Sequence, residues 1–145
     1  MKKLILILLI LPLYSLSQTI TPAQLKSEAL VLEYFSSNPP DEVEGIYKYK
    51  GDKRNDYRLT IVKSKEKYHG YILTFATKLK EMEHNWPPGK LKFTLEKTAA
   101  DNVFAMKWIM GNGSTRIKSI AFYEEGTFQF SLDNGSEDFL YKSYP

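Results

Sequence analysis

Between Lys90 and Leu132 the chain alternates apolar and polar residues with a period of two, and no other feature restricts the fold as much. Leu91, Phe93 and Leu95 alternate with Lys92, Thr94 and Glu96, and after Thr98-Ala99-Ala100-Asp101 the pattern resumes through Phe104, Met106, Trp108 and Met110. Two further runs carry Ile120 and Phe122, then Phe128, Phe130 and Leu132. Successive side chains of a strand point to opposite faces, so alternation broken by Gly, Asn and Asp marks half-buried antiparallel strands joined by hairpins. The same reading places strands near 45–50, 57–63, 68–76, 90–97, 102–110, 115–123, 126–132 and 138–142. About eight strands with no helical period between them predict an all-β fold with one N-terminal α-helix. They form an antiparallel up-and-down meander that closes as a barrel in preference to a sandwich, since nearly every strand can reach its neighbour by a hairpin.

The helix is expected from Thr21 to about Phe35. Thr21 can cap, Pro22 suits the first helical position, and Gln24 completes a capping box. Its wide apolar arc through Leu25, Ala29, Leu32 and Phe35 must pack on the sheet, and Pro39-Pro40 ends the segment.

Upstream, Met1-Lys2-Lys3, the apolar run Leu4 to Leu13 and Ser15-Leu16-Ser17 have the form of a secretory signal peptide cleaved before Gln18. The run is shorter than the roughly 20 residues a bilayer helix needs, and no later segment is apolar enough to span. The expected organisation is a signal peptide over 1–17, helix and linker over 18–40, and one β-barrel domain over 41–145. The product would be exported by a Sec-type route to the periplasm or beyond. The absence of cysteine excludes disulfides, thiolate metal sites, a cysteine nucleophile and lipid attachment through an N-terminal cysteine. Without Lys2 and Lys3 the basic count falls from 20 to 18 against 17 acids. A nearly neutral chain without a basic stripe does not point to nucleic acid.

Register bears on function through the strand 115–123. A four-residue loop at 98–101 would pair Leu95 with Phe104, Phe93 with Met106 and Leu91 with Trp108. If Glu124-Glu125-Gly126 makes a three-residue turn with Gly126 left-handed, Ile120 and Phe122 face inward, and alternation carries Arg116 and Lys118 inward too. A two-residue turn would place Glu125 at positive φ, which disfavours it. The competing signal, Asn112-Gly113, would instead turn Ile117, Ala121 and Tyr123 inward and leave both cations outside.

Catalytic constellations are scarce. His69 and His84 lack metal-ligand spacing, and Glu81-x-Glu83-His84 reads as a solvated loop. Ser114 sits in a Gly-Asn-Gly-Ser-Thr hairpin turn and not in a nucleophile elbow. Asp133-Asn134-Gly135-Ser136 lacks the acidic series of a calcium loop. No metal or cofactor is implied. The candidate binding set is apolar with a few polar groups: Tyr47, Tyr49, Met106, Trp108, Arg116 and Lys118, with Trp86 on the long 77–89 loop above. A cation inside a greasy barrel suits the acidic group of a small amphiphile. The alternative is that side chains this large simply fill an eight-stranded barrel.

The helix, then Gly45-Ile46-Tyr47 on the first strand, then an uninterrupted meander resembles the lipocalin and calycin group, whose first strand carries Gly-x-Trp. Tyr47 stands where that group has the tryptophan, and the last strand offers Lys142 but no arginine to pack against it. Asp41 to Tyr47, Trp86 to Lys92 and Lys107 to Gly111 are also similar to uncharacterised secreted bacterial domains, some of which precede trypsin-like proteases. With no protease in the chain, that resemblance implies a secreted binding or accessory module and not catalysis. Two classes follow: a barrel holding a small amphiphilic or acidic ligand, or an accessory domain with a filled core that binds an extracytoplasmic protein. An enzyme would need an unusual site of scattered Glu, His and Tyr.

Overall fold

A computed structural model, describing residues 18–132 and 135–145, turns the alternation into eight antiparallel strands. They are β1 (Gly45–Lys50), β2 (Asn55–Ser64), β3 (Lys67–Thr77), β4 (Leu91–Lys97), β5 (Val103–Ile109), β6 (Arg116–Glu124), β7 (Thr127–Ser131) and β8 (Glu137–Tyr144). Each strand pairs with the next in sequence, and β8 pairs with β1 to close the barrel. Closure removes both sheet edges, which is how an aromatic-rich meander avoids pairing with other chains. Every strand begins and ends within two residues of the position read from the sequence.

The interior is filled. Tyr47, Leu59, Ile61, Tyr68, Phe93, Leu95, Phe104, Met106, Trp108, Phe128, Phe130 and Leu140 are all buried in one cluster. Phe93 stacks on Trp108 at 5.5 Å, and Phe104 meets Phe128 edge-on at the same separation. Such rings are the main content of a barrel this narrow.

The N-terminal segment departs from expectation. The capping box forms, with Thr21 N–H donating to Gln24 Oε1 at 2.8 Å, but it starts only a 3-10 turn over Gln24–Lys26. Ser27 is extended (φ −150°, ψ 150°) and caps a separate helix α1 (Glu28–Ser37), its Oγ accepting from the Leu30 N–H. Two caps lie six residues apart, and the second is followed by Glu28 in the first turn, where a helix dipole favours an acid. Val31, Tyr34 and Phe35 then pack on Ile46, Val62 and Leu73, the outer face of the β1–β3 sheet.

Two register expectations are corrected. The β4–β5 loop keeps four residues but starts one later: Thr98 N–H bonds Val103 O, and Asn102 adopts φ 57°. Phe93 therefore pairs with Trp108 and Leu95 with Met106. This two-residue slide leaves Phe93, Leu95, Met106 and Trp108 on their expected face.

The β6–β7 correction does change faces. Glu124 pairs with Thr127 across a two-residue turn with Glu125 at φ 43° and Gly126 at φ 79°. Ala121 and Tyr123 are buried and Ile117 packs against the core, whereas Ile120 and Phe122 are 47% and 55% exposed. Arg116 and Lys118 are exposed on the outer surface, so the inward placement of these cations does not hold. The magnitudes account for the outcome. A left-handed non-glycine residue costs about 1–2 kcal/mol, while an unpaired cation inside the barrel costs several kcal/mol. Residues 1–17, where a signal peptide is expected, lie outside the described residues, as do Asp133 and Asn134 of the expected 133–136 turn. No helix among the described residues is long and apolar enough to cross a membrane.

Candidate functional site

The two barrel ends are built differently, and the larger cleft lies at the end where the core itself lines it. Around the end carrying Trp108 is a cleft of about 690 Å³. Tyr49, Tyr57, Trp108 and Lys92 form its base, and Met110, Ile117 and Leu132 contribute apolar wall. Leu79 and Met82 of the long loop, Asn112 and Thr115 of the β5–β6 hairpin, and Asp52, Arg54 and Asn55 of the β1–β2 hairpin complete the lining.

The long loop is held against this end by specific contacts. Asn85 Nδ2 donates to Gly111 O at 2.7 Å, tying the loop to the β5–β6 hairpin. Gly89, at φ 86°, donates its N–H to Ile72 O at 2.7 Å. Trp86 is buried between these ties.

Lys92 is the charged group at the base, and a bulge puts it there. Gly70 pairs with Phe93 and Tyr71 with Leu91, which leaves Lys92 as an extra residue in β4. Bulges re-aim side chains; here a position that alternation would turn outward is 1% exposed. Gly70 is required at the partner position, because a Cβ there would lie 2.3 Å from the Phe93 ring.

The Lys92 ammonium lies 3.7 Å from the Trp86 ring centre and 4.8 Å from those of Tyr57 and Trp108. It donates to Ile109 O at 2.7 Å and has no ion-pair partner among the described residues. Burial, reinforced by the nearby Lys90 charge, brings its pKa down to about 7. The three ring faces act the other way, since their negative quadrupoles favour the cation.

A second polar group sits behind Tyr49. The Tyr49 hydroxyl donates to Asp138 Oδ1 at 2.7 Å and accepts from the Asp52 N–H at 3.0 Å. Asp138 is 1% exposed and its Oδ2 has no hydrogen-bond partner, as is also true of the buried Trp86 Nε1. Burial raises the Asp138 pKa, opposed by the Tyr49 hydrogen bond. At the rim, Arg54 pairs with Asp52 at 2.9 Å and holds that carboxyl below its usual range.

Of the residues singled out in the sequence, the structure brings Tyr49 and Trp108 together in the cleft and sets Trp86 just behind it, against Lys92. Met106 is buried mid-barrel opposite Leu95 and does not line the cleft. Tyr47 belongs to the opposite end, where its hydroxyl bonds Val43 O at 2.7 Å. Arg116 and Lys118 lie outside the barrel. Sequence reasoning missed Lys92, Tyr57 and Asp138; the available signal for Lys92 was Gly70, since a glycine inside a strand often marks a bulge. No protein-family model matches the chain, and neither a curated protein nor a solved structure does.

Proposed function

We propose that the chain is an exported, non-catalytic binding module of lipocalin-like form that holds a small amphiphile with an acidic group in the mouth of its barrel. The observation that carries this is Lys92: a buried ammonium lacking a carboxylate partner, on a side chain that lines an aromatic cleft of about 690 Å³. An ammonium has three N–H donors, and the protein engages one of them through Ile109 O. A ligand carboxylate would supply the missing charge while its apolar body covers Tyr57 and Trp108. Ligand sites of this kind are apolar concavities of a few hundred Å³ with few polar groups.

Because the interior is filled, such a ligand would bind at the mouth and not along the barrel axis. Lipocalin-like form is supported by the closed eight-stranded meander with one α-helix.

Native mass spectrometry with decanoate and decanol tests the proposal. The carboxylate should bind one to one and Lys92→Met should weaken it about 10- to 100-fold, the equivalent of one charge-assisted hydrogen bond. Arg116→Ala combined with Lys118→Ala should leave binding unchanged. Equal weakening of acid and alcohol by Lys92→Met would mean that the fold was damaged. No binding by the wild type would favour the second reading, an accessory protein-interaction domain, for which exposed Ile120 and Phe122 on the outer face of β6 are the specific observation.

A further inference from the structure

Lys92 has a property beyond holding an anion. A lysine amine becomes a nucleophile when it is desolvated in an apolar pocket or set beside another cation, and both conditions are present here. Burial is nearly complete, at 1% exposure. Lys90 shares the Trp86 ring, its Nζ 4.7 Å from the centre, and is the charged group that acts on Lys92. No carboxylate among the described residues pairs with Nζ to hold its proton there. The other ionisable groups lining the cleft are Tyr49 and Tyr57, both kept as neutral phenols by burial, and the mutually paired Asp52 and Arg54.

We propose that Lys92 captures apolar aldehydes that enter the cleft, as an imine on Nζ. The inference rests on the reading that the mouth admits small apolar molecules, but not on the ligand being an acid. In the neutral amine the nitrogen lone pair attacks the carbonyl carbon. A C–N bond forms, and the carbonyl oxygen takes one N–H proton to give a carbinolamine. Loss of the hydroxyl with the second N–H hydrogen releases water and leaves C=N. The sum is amine plus aldehyde giving imine plus water, with no oxidant or reductant. Tyr57 and Trp108 supply flat faces for an unsaturated aldehyde, and a water-poor base slows hydrolysis of the product.

The amine exists neutral in the cleft at a pH where exposed lysines do not. An ordinary lysine at pH 7 is neutral in a fraction on the order of 3 × 10⁻⁴, whereas Lys92, at about 7, is neutral in a large fraction. The wild-type protein should therefore be treated with cinnamaldehyde and sodium cyanoborohydride at pH 7, and the adducts mapped by peptide mass spectrometry. Lys92 should be labelled at least about tenfold faster than exposed Lys118, by the difference in neutral fraction. Decanoate should slow labelling at Lys92 alone. Comparable rates at Lys92 and Lys118, or labelling of Lys118 without Lys92, would overturn the inference. Decanoate binding without a Lys92 adduct would sink this inference and leave the acid-binding reading intact. A Lys92 adduct without decanoate binding would do the reverse.

Discussion

At one end of the barrel the chain itself forms the closure, while at the other the boundary is made by side chains around a cleft. The segment Asp41–Glu44 crosses the first end, and the strands reach up to it. Tyr47, Tyr123 and Tyr68 donate their hydroxyls to Val43 O, Glu42 O and Asp41 Oδ2, each at 2.7 Å. Lys142 bonds Glu42 O, and Asp41 Oδ1 accepts the N–H groups of Val43 and Glu44. Two recesses beside this strap measure about 260 and 570 Å³, against about 690 Å³ for the cleft at the Trp108 end. At the Trp108 end, Lys92 has one hydrogen bond, and Asp138 Oδ2 and Trp86 Nε1 have none. Aromatic and polar residues are plentiful at both ends, so composition does not separate them. Hydrogen-bond satisfaction does. Buried polar groups left incomplete are costly in a core; the Lys92 ammonium is the one that lines the cleft, whereas Asp138, Trp86, Arg58 and His69, which also carry unpartnered buried atoms, are outside its lining.

The largest expected effect lies at the strapped end. Phe104, buried against Tyr68 and Phe128, should cost about 3–5 kcal/mol on replacement by Ala, read by urea denaturation. A loss below about 0.5 kcal/mol, the range of surface changes, would remove the distinction between a packed end and an open one.

The next is a pH effect confined to the other end. Lys92 titrates near 7 in the fold and at its ordinary, higher value in the unfolded chain. Between those values the unfolded state binds more protons, so stability rises with pH. The lysine's contribution is full above its unfolded pKa and is lost as pH falls towards 7, with a slope of up to about 1.4 kcal/mol per pH unit. Denaturation between pH 7.5 and 9.5 should show the rise, and Lys92→Met should flatten it. Above pH 10 the slope should reverse, because the buried Tyr49, Tyr57 and Tyr68 phenols are raised and ionise first in the unfolded chain. A Lys92→Met variant with the wild-type slope would show that the ring faces fully offset burial.

The smallest effect is again at the strap. Tyr123→Phe removes one hydrogen bond to Glu42 O and should cost about 1 kcal/mol, with no change in decanoate affinity. A matching loss of affinity would mean that the two ends communicate.

The fold was legible in the sequence because alternation is a local signal. Phe93, Leu95, Met106 and Trp108 face inward whichever of two neighbouring registers is chosen, so even the misplaced 98–101 loop left the core correct. The facing of β6 was less legible, since both readings offered apolar residues and each turn had a point in its favour. The penalty at Glu125 is local, whereas the cost of enclosing Arg116 and Lys118, which decides the matter, is not. Lys92 was illegible by alternation alone. Its direction depends on a bulge created jointly by β3 and β4, where the Phe93 ring occupies the space above Gly70. The Tyr49–Asp138 bond was hidden for a similar reason, since it forms only when β8 returns to β1.

Chemical-shift mapping with decanoate at pH 7 tests most directly whether the Trp108 end is the binding end. In ¹⁵N-labelled protein the Trp108 indole N–H and the amides of Tyr49, Tyr57 and Lys92 should shift saturably, while those of Val43, Tyr47 and Tyr123 stay in place. Saturable shifts centred on Val43 and Tyr47, or no saturable shift at all, would contradict the account.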